Sequence, residues 1–225
     1  MAGPHVRQEM KIPTTITALY FSWSSLYAAT VVLEYNTGRP YLSPIAAQSG
    51  TQVGIPYYDE DGFRSKPFGP ISAIAPYNLC LSGPNDGSKA SNGTAHLSLL
   101  NNPPNSFEAF SQDGLLFDAV SVDLGEYSTV FRSPKVIVFE GILASGASVF
   151  VDFTTDGFVE GGDALNDFET FTFPAEFSSL SLLRSATTGY SLDNLTLRIV
   201  PEPTLLSMLS ICLLGIVTSR TRRLS

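Results

Sequence analysis

The sequence predicts an all-β domain, a two-sheet antiparallel sandwich, on three observations. Between residues 30 and 199 no apolar stripe persists at the helical period of 3.6 residues. Short apolar or alternating runs recur there instead, with Gly, Pro, Asn and Asp between them. These runs start roughly every ten to fifteen residues, the spacing of sandwich strands. The span holds about 170 residues, enough for one domain with a real core.

The run 31–35 opens the series, and 52–58, 71–74 and 96–100 are weaker candidates. Stronger ones begin at 106–110 and 117–124, followed by 135–142, 148–154, 168–173, 179–184 and 190–199. Ala144-Ser145-Gly146 reads as a hairpin turn, because glycine accepts the positive φ such turns need. In the strand after it Val149, Val151 and Phe153 share one face, and Ser148, Phe150 and Asp152 the other. An aromatic on the outer face predicts that Phe150 packs under a loop or against a neighbouring strand. From 38 to 104 the segments PYLSPIAAQSG, FRSKPFGP and SGPNDGSKASNG read as long loops. There is no internal repeat and no low-complexity tract.

Residues 30–199 carry 19 acidic and 8 basic side chains, a net charge near −11. That sign repels phosphate backbones, so nucleic acid is not expected as a partner. Cys80 is the only cysteine of the span, which excludes an internal disulfide, and the NLCLS context makes it a small buried hydrophobe. Catalysis finds few groups. His96 sits beside Leu97 on a strand-like run, as a structural histidine does, and no G-x-S-x-G, H-E-x-x-H or paired cysteines occur. The many carboxylates could pair for glycoside hydrolysis only by a geometry that sequence does not give. No enzyme is expected. The run DFTTDGFVEGGDALNDFE does not match an EF-hand spacing and reads as a solvated acidic loop. Asn92-Gly93-Thr94 and Asn194-Leu195-Thr196 fit the glycosylation triplet. Tyr57, Tyr58, Phe63 and Phe68 cluster in IPYYDEDGFRSKPFG. They are either core packing or a platform on which sugar rings stack.

The two ends point to export. Residues 10–29 give Met-Lys-Ile-Pro and then TTITALYFSWSSLYAA, the layout of a secretory signal peptide cut after Ala28 or Ala29. Met10 is an alternative start. At the other end come Val200, Pro201, Glu202 and Pro203, then an uncharged apolar run over 204–219, then Arg220, Arg222 and Arg223. As a helix its 16 residues would rise roughly 24 Å, a short membrane span with its arginines on the cytoplasmic side. This tripartite tail, 200–223, resembles the PEP-CTERM sorting signal. The resemblance implies an exosortase as partner, passing membrane anchorage, cleavage near Pro201-Glu202-Pro203 and delivery to the cell surface or matrix.

The second half, with FDAVSVDLGEY, VIVFEGILASGASVFVDFTT, FETFTFP and YSLDNLTLRIVPEP, is similar to the β-sandwich ectodomains of many PEP-CTERM proteins. Those resemble carbohydrate-binding jelly rolls, which implies a jelly-roll-like sandwich over 30–199. It also implies a structural calcium between the first and last strands, where Glu34 and Asp193 occupy matching positions and could offer carboxylate oxygens. The expected function is that of an exported, surface- or matrix-associated non-enzymatic protein. The alternative is a carbohydrate-binding module of the extracellular polysaccharide matrix, and the third reading a secreted glycoside-active enzyme.

Overall fold

A computed structural model describes residues 28–36, 39–40, 53–55, 57–68, 79–83, 88–99, 107–161 and 167–201. The signal-peptide segment before Ala28 and the tail after Pro201 lie outside them, as do the candidate strand at 71–74 and Cys212. The described chain is all-β, and every ladder in it is antiparallel.

Fourteen strands form one curled sheet with two wings. The first wing holds β1 (Thr30–Leu33), β3 (Val53–Ile55), β6 (Leu79–Ser82), β7 (His96–Leu99), β9 (Phe117–Glu126), β12 (Glu169–Thr172) and β14 (Tyr190–Ile199). In it β14 is central. One edge pairs with β9, and the other is shared by β1 and β7. The second wing runs β2 (Arg39–Pro40), β4 (Tyr58–Glu60), β5 (Phe63–Pro67), β8 (Phe107–Ser111), β13 (Leu180–Ser185), β10 (Val136–Leu143) and β11 (Ser148–Thr154). Among the described residues a single ladder pair, Leu180 opposite Phe117, joins the wings.

Apolar side chains from both wings fill the space between them, an arrangement consistent with a β-sandwich. Phe63 of β5 meets Phe117 of β9 edge-on at 5.3 Å between ring centres. Phe153 of β11 stacks on Phe171 of β12 at 5.0 Å. Phe139 of β10 touches Phe153, Phe173 and Tyr190, and is fully buried. Tyr35, just past β1, packs on Tyr58 of β4. It holds a φ of 55°, unusual for a bulky residue, while its N–H donates to the buried Glu60 carboxylate at 2.9 Å.

The strands 148–154 and 190–199 stand where their alternation puts them, and the turn between β10 and β11 closes at Gly146 as expected. Phe150 differs from expectation. It is 63% exposed, so no loop or strand covers it among the described residues. The candidate run 52–58 divides into β3 and β4, which lie in different wings. Residues 63–67, expected as loop, form the second arm of a hairpin, β4 to β5, turning at Asp61 and Gly62 with φ of 46° and 82°. Both central residues being left-handed is what a tight two-residue hairpin turn requires.

Candidate functional site

The outer face of the second wing carries a row of side chains that crosses five strands. Lys66 of β5 lies opposite Glu108 of β8, Glu108 opposite Arg184 of β13, Arg184 opposite Glu140 of β10, and Glu140 opposite Phe150 of β11. Strand neighbours sit about 4.8 Å apart, so the row spans roughly 19 Å. It alternates in charge and ends on an exposed ring. Lys66 Nζ reaches Glu108 Oε1 at 2.8 Å, and Arg184 Nε donates to Glu140 Oε2 at 2.7 Å. That bond from Arg184 is the main reason the Glu140 carboxyl sits below the ordinary carboxylate range. Beside the row Arg64 grips Asp59 with two 2.7 Å bonds.

Aromatic rings flank these charges. The Arg184 guanidinium lies 4.7 Å from the centre of Phe68, Arg64 lies 4.1 Å from Tyr57, and Lys66 Nζ lies 5.5 Å from Phe110. Of the four aromatic candidates, then, Tyr57 and Phe68 belong to this face. Tyr58 and Phe63 do not. Both are 1% exposed and point between the wings, because side chains alternate along β4 and β5. Sequence reading missed Lys66, Glu108, Arg184 and Glu140, since their alignment depends on the register of four separate strands.

Asp193 and Glu34 are neighbours in backbone only. Leu33 pairs with Leu195, which brings the residue after β1 close to the bulge at Asp193 and Asn194. The Glu34 side chain is exposed, whereas Asp193 is fully buried. Asp193 Oδ2 accepts from Asn92 Nδ2 at 2.6 Å and Thr94 Oγ1 at 2.8 Å, and Oδ1 from the Asn194 N–H at 2.8 Å. Burial pushes its carboxyl up to about 7 against the pull of those bonds. Asn194 Nδ2 in turn donates to Asp123. Both asparagines of the two glycosylation triplets thus spend their amides inside the protein.

The acidic segment is ordered around its own backbone. Asp167, 3% exposed, accepts the N–H groups of Ser91, Glu160 and Gly161, and Glu169 accepts that of Asp156. Among the described residues no three His, Cys, Asp or Glu side chains form a metal-ligating group. His96 is buried edge-on to Phe168 at 5.2 Å, a structural placement. Cys80 is buried and free, and burial raises its thiol to about 11, which keeps it an unreactive thiol.

No protein-family model matches the sequence, and no curated protein is similar to it. Among solved structures, a mutant family 29 carbohydrate-binding module made to probe ligand recognition shares 10% identity over 76% of this chain and 85% of its own, at a TM-score of 0.39. A family 11 carbohydrate-binding module from Clostridium thermocellum, in complex with a mixed-linked tetrasaccharide, shares 9% over 72% and 95%, at 0.27. An arabinose-bound α-L-arabinofuranosidase shares 10% over 77% of this chain but only 26% of its own, at 0.38. Likenesses at these scores carry no argument about the ligand.

Proposed function

We propose that this chain is an exported, non-catalytic binding protein whose β-domain holds a neutral polysaccharide against the outer face of its second wing. The row Lys66–Glu108–Arg184–Glu140–Phe150 is the observation that supports this reading. Its charges cancel in pairs, so it presents donors and acceptors without a net field. Hydroxyls both donate and accept, and they can answer Lys66, Arg184 and Glu140, with Glu108 held beneath Lys66. The flanking rings and the exposed Phe150 add apolar area for the C–H faces of sugars. Glu108 is buried and Glu140 and Arg184 are largely covered, and ion pairs drawn out of water gain little net stability over apolar packing, so stability alone gives little reason for the row.

The full chain is expected to bind at least one neutral glycan on a polysaccharide array. Arg184→Ala and Phe150→Ala should each weaken that binding tenfold or more, about 1.4 kcal/mol, with little change in melting temperature. An array without a single binder, or binding indifferent to both substitutions, would remove the proposal.

Sorting by an exosortase is part of the same proposal and rests on the tail motif at 200–223. Surface-released protein should lack Arg220, Arg222 and Arg223 by mass spectrometry, and an intact C-terminus on that material would contradict processing. At the other end the Ile199 N–H donates to the Ala29 carbonyl at 2.8 Å. A cut after Ala28 keeps that bond, whereas a cut after Ala29 removes it, so N-terminal sequencing is expected to begin at Ala29.

A structural calcium at Glu34 and Asp193 is a separate proposal. As arranged, the Asp193 oxygens are occupied by three donors. A cation there requires the Asn92 amide to turn its oxygen inward and Glu34 to swing in from solvent. A melting temperature that falls on chelation, and ceases to do so in Asp193→Ala, is the signature of such a site.

A further inference from the structure

The outermost strand of the second wing, β11, is an open edge. Among the described residues it pairs with β10 alone. The other strands paired on one side only, β1, β2, β3 and β12, have two to four residues, whereas β11 has seven. Sheets usually keep an edge from pairing by shortness, proline, lysine or a bulge. The run SVFVDFT contains neither proline nor lysine, and its ladder with β10 runs without a shift. Its one charge is Asp152.

The bonding groups of that edge can be assigned. The Leu143 N–H donates to the Ala147 carbonyl and the Thr155 N–H to the Lys135 carbonyl, just past either end of the ladder. Antiparallel bonds alternate, so Val149, Val151 and Phe153 spend theirs on β10. The N–H and C=O groups of Ser148, Phe150, Asp152 and Thr154 therefore point to the open side. The side chains of the same four residues lie on the outer face, where Phe150 is 63% exposed.

A second copy of the strand is complementary to this edge. With a two-fold axis at Phe150, Ser148 stands opposite the partner's Asp152, Phe150 opposite the partner's Phe150, and Asp152 opposite the partner's Ser148. Each pair can exchange two main-chain bonds. The exposed rings become cross-strand neighbours, a favourable aromatic pair. The two Asp152 carboxylates stay four residues apart along the strands, roughly 13 Å. Underneath, half-buried Val149 meets the partner's Val151. An axis at Val151 instead sets each ring opposite a carboxylate and brings the two Asp152 residues to a diagonal of roughly 7–8 Å. Charge and ring pairing both favour the axis at Phe150.

We infer that two copies of this chain pair antiparallel through β11, with the two-fold axis at Phe150, so that their second wings become one sheet. The pairing joins the two outer-face rows end to end, but does not depend on their holding a polysaccharide. One strand pair is a small interface beside the roughly 1,200–2,000 Å² of stable complexes, so a Kd on the order of 10–100 μM is expected.

Disulfide trapping in the full chain, without glycan and with Cys212→Ser, tests the register. Phe150→Cys should link to itself under mild oxidation, because Cα atoms of a hydrogen-bonded pair lie about 5.5 Å apart, within reach of a disulfide. Ser148→Cys and Asp152→Cys should each stay unlinked alone and link when mixed. Cys80 is buried and takes no part. Sedimentation of the full chain up to about 500 μM, in detergent that covers the run 204–219, should show a dimer that forms with concentration. Phe150→Lys sets two ammoniums face to face, and Asp152→Pro removes a donor on the open side without costing a bond to β10. Both should weaken dimerisation at least tenfold with melting temperatures retained in dilute solution. Arg184→Ala should dimerise as wild type does, which separates this result from the fate of the outer-face reading. A chain that stays monomeric throughout overturns the inference and leaves the edge to another segment of its own chain or to a foreign strand. Ser148→Cys or Asp152→Cys linking alone as readily as the mixture overturns it too, as does a dimer undiminished in both edge variants. Should those variants fail to fold, the trapping pattern decides alone.

Discussion

Phe139→Ala should lower the unfolding free energy by about 3–5 kcal/mol, the largest effect expected of any single substitution in this domain. The ring is fully buried and touches Phe153 in its own wing, Phe173 beyond β12, and Tyr190 in the other wing. Truncation loses the transfer energy of the ring and leaves a cavity walled by three further rings. Phe153 and Tyr190 are fixed by strand pairing and Phe173 by its N–H bond to the Val120 carbonyl, so the space cannot close easily. In a domain of this size the loss corresponds to a melting temperature lower by roughly 6–20 °C. A thermal melt that moves by less than 3 °C would show that the two wings are not held together through this cluster.

The next largest effect is a stability that falls as pH rises. Asp193 has an ordinary value of 3.8 and stands at about 7 in the folded protein, chiefly through burial. Between those values the folded state holds a proton that the unfolded chain releases. Stability is therefore greatest near pH 4 and declines toward pH 7, by on the order of a few kcal/mol if Asp193 acts alone. Glu169, also raised chiefly by burial, adds in the same direction. Glu140 is lowered and acts oppositely, losing its contribution only as pH falls below its ordinary 4.5. Denaturant melts between pH 5 and 7 should therefore slope downward for wild type and be nearly flat for Asp193→Asn. Equal slopes in the two proteins would show that Asp193 stays ionised in the fold.

The C-terminal half was legible because its strands are long and alternate cleanly. Ten residues at 190–199 and seven at 148–154 give the period-two pattern enough room to identify them. The first half was not, because its strands have two to five residues, and β4 and β5 place Asp59, Arg64 and Lys66 on the outer face. In β4 and β5 the apolar positions Tyr58 and Phe63 are outnumbered by Asp59, Glu60, Arg64 and Lys66. The readable sign there was Asp61-Gly62, a dipeptide that fits a tight hairpin turn. The strand β6 is buried at every position, and four residues of LCLS have no alternation to show. For the candidate site, adjacent residues went to opposite sides. Tyr57 joined the outer face and Tyr58 the core. The row from Lys66 to Phe150 could not be read from sequence, because a shift of one residue in any ladder would send its members to the other face.

The placement of β14 determines how the domain would answer a pull. It is the last described strand, ten residues long, and leads directly to Val200 and Pro201. Ladders grip it on both sides, β9 along one edge and β1 with β7 along the other. Tension applied at the C-terminal end runs along this strand, at right angles to its hydrogen bonds. Many bonds then share the force in shear, whereas an edge strand peeled sideways would give them up one at a time. A domain tethered through residue 201 would thus be mechanically strong at its point of attachment.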